Sequence, residues 1–116
     1  MADLKRLQGL QRLSQMHADL AMTTLARARV QEELIEAHLR GLANTPTFPP
    51  NSPFEAQAAT KALAWRKKKK RALMTALAEE RARTQPLKEE TAFKIARANA
   101  LQKAINKASK KKARDG

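Results

Sequence analysis

The stretch from Gly41 to Glu55, GLANTPTFPPNSPFE, constrains the fold of this chain more than any other. It holds four of the five prolines and carries no charged side chain before Glu55. Gly41 is predicted to end one helix as a left-handed C′ residue. Ser52 is predicted to be the N-cap of a second helix, with Pro53 at its first position and Glu55 completing an S-x-x-E capping box. The stretch is therefore predicted to be the bend of a helical hairpin.

The sequences on both sides of this bend are typical of long helices. They are rich in Ala, Leu, Lys, Arg, Glu and Gln, which lose little conformational freedom in a helix, whereas valine occurs once and tyrosine is absent. The predicted fold class is all-α, an antiparallel two-helix coiled-coil hairpin whose second helix is longer and kinked near Pro86. We expect a single hairpin over 1–116: helix 1 about 3–40, a proline-rich bend 41–52, helix 2 about 53–111 and a frayed basic tail 112–116.

Helix 1 has apolar residues at helical spacing, which predicts one face that packs on a partner helix. The broad stripe contains Leu7, Leu10, Leu13, Leu20, Ala21, Leu25, Ala28, Ile35 and Leu39. A stricter seam, in which residues recur every three or four positions as in a coiled coil, passes through Leu25, Ala28, Glu32, Ile35 and Leu39.

Helix 2 carries a similar seam with more polar members. It passes through Leu63, Arg66, Lys70, Leu73, Leu77, Glu80, Thr84, Leu87, Thr91, Lys94, Ala98, Leu101, Ile105 and Ala108. Pro86 lies within this segment and removes one backbone hydrogen bond, so we expect a bent but continuous helix, with a true break as the alternative.

Folding the chain tightly at the bend predicts that paired residue numbers sum to roughly 95–98. This register places Glu32, Glu33 and Glu36 beside the segment 61–67, where opposite charges would meet. It also leaves residues after about Ala96 without a partner on helix 1. Because Leu101 and Ile105 continue the seam there, the tail is predicted to bind another chain.

Positive charge is concentrated in the second part of the chain. Residues 1–42 contain six Lys/Arg and five Asp/Glu, whereas residues 43–116 contain eighteen and six, which gives most of the net charge of +13. The run Arg66–Arg71, RKKKKR, is either a solvated surface, a binding site for an acidic protein or a phosphate-binding patch. Trp65 is either a seam residue or an anchor for a partner. The candidate partner-binding residues are Trp65, Arg66, Lys67, Lys68, Lys69, Lys70, Arg71, Leu101 and Ile105.

Few residues have the spacing that enzymes or metal sites require. The two histidines, His17 and His38, are about 30 Å apart along one helix, and the chain has no cysteine and no glycine-rich phosphate loop. We therefore expect a protein with no catalytic activity, no metal and no cofactor. No apolar run approaches membrane-spanning length and the first residues do not resemble a secretory signal, so a cytoplasmic location is expected.

The chain resembles the FliJ/YscO group, the central stalk proteins of the type III export apparatus of flagella and injectisomes. The resemblance lies in the Leu-rich first helix, LKRLQGLQRLSQMHADLAMTTLARARVQEEL, and in a longer basic second helix ending AFKIARANALQKAINK. It implies a non-enzymatic coupling protein that binds a hexameric export ATPase ring, contacts the export gate and escorts chaperones, in the cytoplasm or peripherally at the inner-membrane face. The alternatives are a small basic nucleic-acid-associated protein and an adaptor coiled coil that pairs with another helical protein.

Overall fold

A computed structural model describes residues 2–46 and 48–115 of the chain. Helix α1 is Ala2–Ala43 and helix α2 is Pro53–Asp115, and the described residues contain no strand. The predicted fold class, an all-α antiparallel two-helix coiled-coil hairpin, is confirmed. Within the predicted bend, Thr47 lies outside the described residues.

The predicted start of α2 is confirmed by its capping hydrogen bonds. The backbone N–H of Glu55 donates to Ser52 Oγ at 3.1 Å, and the N–H of Ala56 donates to the Ser52 carbonyl at 2.9 Å. The Glu55 carboxylate accepts the backbone N–H of Asn51 at 2.6 Å, one residue before the donor that a standard capping box uses. The cap thus satisfies the Glu55 N–H, which the helix itself leaves without a partner, and the N–H of Asn51 just before the cap.

Replacing Ser52 with alanine should expose the first turn of α2 to solvent exchange. The lost N-cap is worth about 1 kcal/mol, which corresponds to roughly fivefold faster amide exchange at Glu55. The thermal melt should hardly move, because residues 53–65 are all exposed and add little to the packed core. Ser52→Asp, which retains a capping oxygen, is the control, and unchanged exchange at Glu55 in Ser52→Ala would contradict the cap.

The prediction that a left-handed Gly41 ends helix 1 is wrong. Helix α1 continues through Gly41 to Ala43, and no described glycine has a positive φ. The N–H of Asn44 donates to the Arg40 carbonyl at 3.0 Å, and the Thr45 hydroxyl donates to the Gly41 carbonyl at 2.8 Å. Because these two donors satisfy carbonyls of the last turn, the helix ends without a left-handed residue.

Replacing Gly41 with alanine should therefore stabilise α1 by up to about 1 kcal/mol, the difference in helix propensity between the two residues. A Cβ atom built at Gly41 meets no atom within 4 Å, so the methyl group has room. Thermal denaturation followed by circular dichroism would measure the gain. A lower melting temperature would instead indicate a left-handed Gly41.

Helix α2 is continuous through Pro86, so the alternative of a true break is wrong. Proline has no N–H, and the carbonyl of Ala82, four residues earlier, consequently lacks its usual helical donor. The helix also extends to Asp115, four residues beyond its predicted end at about Lys111, and Gly116 of the predicted frayed tail lies outside the described residues.

The chain divides into two compact units. Unit 1 contains α1 up to Arg27 and α2 from Thr84 onward, and unit 2 is Ala28–Arg83. Each unit therefore contains one segment of each helix.

The predicted seam of α2 is confirmed from Leu73 to Ala108, where every member is buried or half-buried. The strict seam of α1, Leu25 to Leu39, is also confirmed, and it extends toward the start of the helix through the buried Ser14 and Ala18. The broad stripe is wrong at three positions, since the structure exposes Leu10, Leu13 and Leu20.

The predicted register is wrong, as one contact in each unit shows. In unit 1 the Thr91 hydroxyl donates to the Ala21 carbonyl at 3.3 Å, and in unit 2 Arg81 pairs with Glu36 at 3.1 Å. These pairs of residue numbers sum to 112 and 117, rather than to roughly 95–98. The seam residues at the far end of α2 consequently have partners on α1, whereas its first turns do not.

Candidate functional site

A groove of unit 2 combines an apolar floor with cationic walls. The last turns of α1 and the segment of α2 from Leu63 to Arg81 enclose about 760 Å³. The apolar side chains of this cationic groove are Leu39, Leu42, Leu63, Met74 and Leu77, together with two alanines. Its charged side chains are Arg40, Arg66, Lys67, Lys70 and Arg81, and no carboxylate lines it.

Most of the groove's cations have no ionic partner among the described residues. Arg81 pairs with Glu36, and both side chains are partly exposed. No ion pair within the described residues involves Arg40, Arg66, Lys67 or Lys70. The groove is therefore a site of uncompensated positive charge beside apolar surface.

The basic run Arg66–Arg71 contributes three residues to the groove: Arg66, Lys67 and Lys70. Arg66 is half-buried and the other five are exposed. The prediction that Glu32, Glu33 and Glu36 lie beside this region is wrong, because Glu36 pairs with Arg81. The run therefore lacks the neighbouring carboxylates that the predicted register placed beside it, so an anionic partner has better access to its cations.

The side chain of Trp65 is 60% exposed, which rules out the alternative that it fills the seam. Its role as an anchor for a partner stays a prediction. Leu63 and Phe54, in the same first turns of α2, are also exposed. These turns thus present large apolar side chains that are each more than half exposed.

The predicted partner-binding residues of the tail lie in the internal seam of unit 1. Ile105 is 9% exposed, Ala98 is 1% exposed and Leu101 is half-buried. The prediction that this end of α2 lacks contacts on α1 is therefore wrong. Leu101 and Ile105 were assigned to a protein partner only on that ground, so the assignment has lost its reason.

A different apolar surface of unit 1 is exposed. Leu10, Leu13, Met16 and Leu20 lie on α1 outside its strict seam and are 41–65% exposed. We call these four residues the outer apolar face. Three of them belong to the predicted stripe of helix 1, but that stripe merged two surfaces, the seam and this face. The 3,4 spacing of the seam, which Leu10, Leu13 and Leu20 do not follow, was the sequence signal that could have distinguished the two surfaces.

Leu20 also borders a smaller groove of unit 1, of about 250 Å³. Glu90 and Lys94 of α2 line it and pair with each other at 2.9 Å. Thr91 also lines it, and its one hydroxyl proton is shared between the Leu87 carbonyl at 2.6 Å and the Ala21 carbonyl at 3.3 Å. Its charges are thus already compensated, unlike those of the cationic groove.

The described residues contain no group of three or more His, Cys, Asp or Glu side chains that could hold a metal ion. None of the helices, as far as the structure describes them, is long and apolar enough to cross a membrane. Comparison of the chain with protein-family models, curated proteins and solved structures finds no match. The proposals for function therefore rest on the surfaces described above.

Proposed function

We propose that this protein is a non-enzymatic stalk or coupling protein of a flagellar or type III export apparatus. Its partners would be a hexameric export ATPase ring and the export gate, with chaperones as further ligands. It would act in the cytoplasm or at the inner-membrane face of that apparatus. The observation that carries the proposal is an antiparallel helical pair whose outer apolar face is 41–65% exposed within the described residues.

The seam of unit 1 supports a role in which the helical pair works as one rod. Its buried members include Ser14, Ala18, Thr84, Thr91 and Ala98. Small side chains let two helices approach closely, so the pair is thin enough to lie inside a ring of subunits. The outer apolar face would then contact the inner wall of that ring.

Stimulation of the export ATPase encoded by the same genome is the direct test. We expect the intact protein to be retained on the immobilised ATPase and to raise its rate of ATP hydrolysis. Leu13→Asp combined with Leu20→Asp should abolish both effects and leave the helical circular dichroism unchanged, because both side chains are at least half exposed. Val30→Asp with Ala37→Asp, two exposed positions of α1 in unit 2, is the matched control.

Failure of the intact protein to bind or stimulate the ATPase would remove the stalk proposal. Retention of a different helical protein would then favour an adaptor coiled coil.

One observation favours a nucleic-acid-associated protein as the second candidate. Five of the six cations in the run Arg66–Arg71 are exposed, and such clusters bind phosphates without sequence preference. Alanine at all six positions should abolish binding to random duplex DNA. No binding of the intact protein at low salt would eliminate this candidate.

A further inference from the structure

The seam of α2 continues past the point where α1 ends. In unit 2 Glu36 of α1 pairs with Arg81, and α1 ends at Ala43, seven residues further on. At equal rise per residue, the end of α1 reaches about the level of residues 70–74 of α2. Leu63 and Arg66, which continue the 3,4 seam toward the start of α2, therefore have no α1 residue opposite them. The cationic groove is thus a helical seam with one helix missing along part of its length.

The side chains of this open seam indicate the chemistry of the missing helix. Leu63 and Met74 are each more than half exposed, and covering them would remove apolar surface from water. Arg66 and Lys70 occupy seam positions, and burying a cation without a counter-charge is strongly unfavourable. An occupant that covers the apolar side chains must therefore carry carboxylates opposite these two cations.

We infer that the cationic groove binds an acidic amphipathic α-helix of a protein partner. The part of the groove that lacks α1 runs from Leu63 to about Met74, about 17 Å along the axis, which matches about 12 residues of helix. Its apolar residues would recur every three or four positions, as in other helix-in-groove complexes, and Asp or Glu would flank them. This surface is in unit 2, apart from the outer apolar face, so the inference does not depend on the stalk proposal.

Charge distinguishes this occupant from the other candidates. A second copy of the chain would bring its own segment 53–83, which carries nine Lys/Arg and three Asp/Glu, so two such segments repel. A nucleic acid would satisfy the cations but leave the apolar floor without a complement, since phosphate contacts are polar. An acidic amphipathic helix satisfies both requirements.

The test uses the full-length protein and a designed 18-residue fluorescent peptide whose central 12 residues carry leucines at 3,4 spacing and glutamates beside them. A scrambled peptide of the same composition lacks the apolar stripe, and a third peptide has lysine at every glutamate position. Fluorescence anisotropy should show that the designed peptide binds at least about tenfold more tightly than the scrambled one. The lysine peptide should not bind.

Two double variants test which residues of the basic run Arg66–Arg71 bind the peptide. Arg66→Gln with Lys70→Gln should weaken binding of the designed peptide at least about tenfold. Lys68→Gln with Lys69→Gln removes the same charge from residues that do not line the groove, and it should weaken binding less than about threefold. Leu63→Ser with Met74→Ser, both exposed, should also abolish the preference over the scrambled peptide while the helical signal is retained.

Three results would overturn the inference. The scrambled peptide could bind as tightly as the designed one, or the two pairs of glutamine variants could lose affinity equally. Sedimentation could also reveal a dimer that Leu63→Ser with Met74→Ser dissociates, in which case a second copy occupies the groove.

Discussion

Replacing Leu101 and Ile105 together with aspartate should unfold the helical pair of unit 1. Ile105 is 9% exposed and Leu101 is half-buried, and both belong to the seam between α2 and α1. The two apolar side chains contribute about 1.5–3 kcal/mol each when fully buried, and two carboxylates would have to be desolvated in their place. A loss of several kcal/mol is comparable to the whole stability of a small domain. Circular dichroism at 25 °C should show a large loss of helix.

The control for this variant is Leu13→Asp with Leu20→Asp. It also replaces two large aliphatic residues of unit 1 with aspartate, but on the outer apolar face, where the side chains are exposed. We expect the control to melt close to the unchanged protein. A Leu101/Ile105 double variant that kept its helicity would mean that this end of α2 is not packed on α1, and the register of unit 1 would have to be revised.

The elements of the fold could be predicted because each has a local chemical cause. The start of α2 follows from the side chains of Ser52 and Glu55, and the seam of α2 follows from its 3,4 spacing. The end of α1 was predicted less well, because glycine permits a left-handed conformation but does not require one. The hydroxyl of Thr45 satisfies the Gly41 carbonyl instead, and a threonine four residues further along is a weak signal in sequence.

The register could not be predicted in the same way, because a heptad seam repeats every seven residues. The structure differs from the predicted register by about two to three heptads, and shifts by whole heptads align the same seams. The prediction assumed a tight bend, and the opposite charges that this register brings together, Glu32 and the basic run, are worth under about 1 kcal/mol at a surface. The observed register instead buries Ile105 and half-buries Leu101, where each side chain can contribute more.

The difference between the predicted and the observed register also explains why the candidate site was only partly predicted. Arg66, Lys67 and Lys70 were identified from composition, and they do line the cationic groove. The groove itself exists only in a register that leaves the start of α2 beyond the end of α1. Leu101 and Ile105 were assigned to a protein partner because the predicted register left them without contacts on α1.

Replacing Glu32 with leucine should stabilise unit 2. Glu32 occupies the α1 seam, and its Oε1 atom is buried without a hydrogen-bond partner among the described residues. A buried acceptor that lacks a partner costs about 1–3 kcal/mol. Glu80, on the α2 seam of the same unit, adds a second carboxylate, which Arg83 binds at 3.0 Å. Leucine would remove the unpaired acceptor and bury apolar surface, so unfolding by urea should require about 1–3 kcal/mol more.

Two further variants separate the causes of this gain. Glu33→Leu makes the same substitution at the exposed neighbouring residue and should leave the free energy of unfolding nearly unchanged. Glu32→Gln removes the charge but retains a polar side chain, so its gain should be smaller than that of leucine. If Glu32→Leu lowered stability while Glu33→Leu did not, the Glu32 carboxylate would have a partner in solution. A seam glutamate would then stabilise the helical pair, since its removal would leave that partner uncompensated.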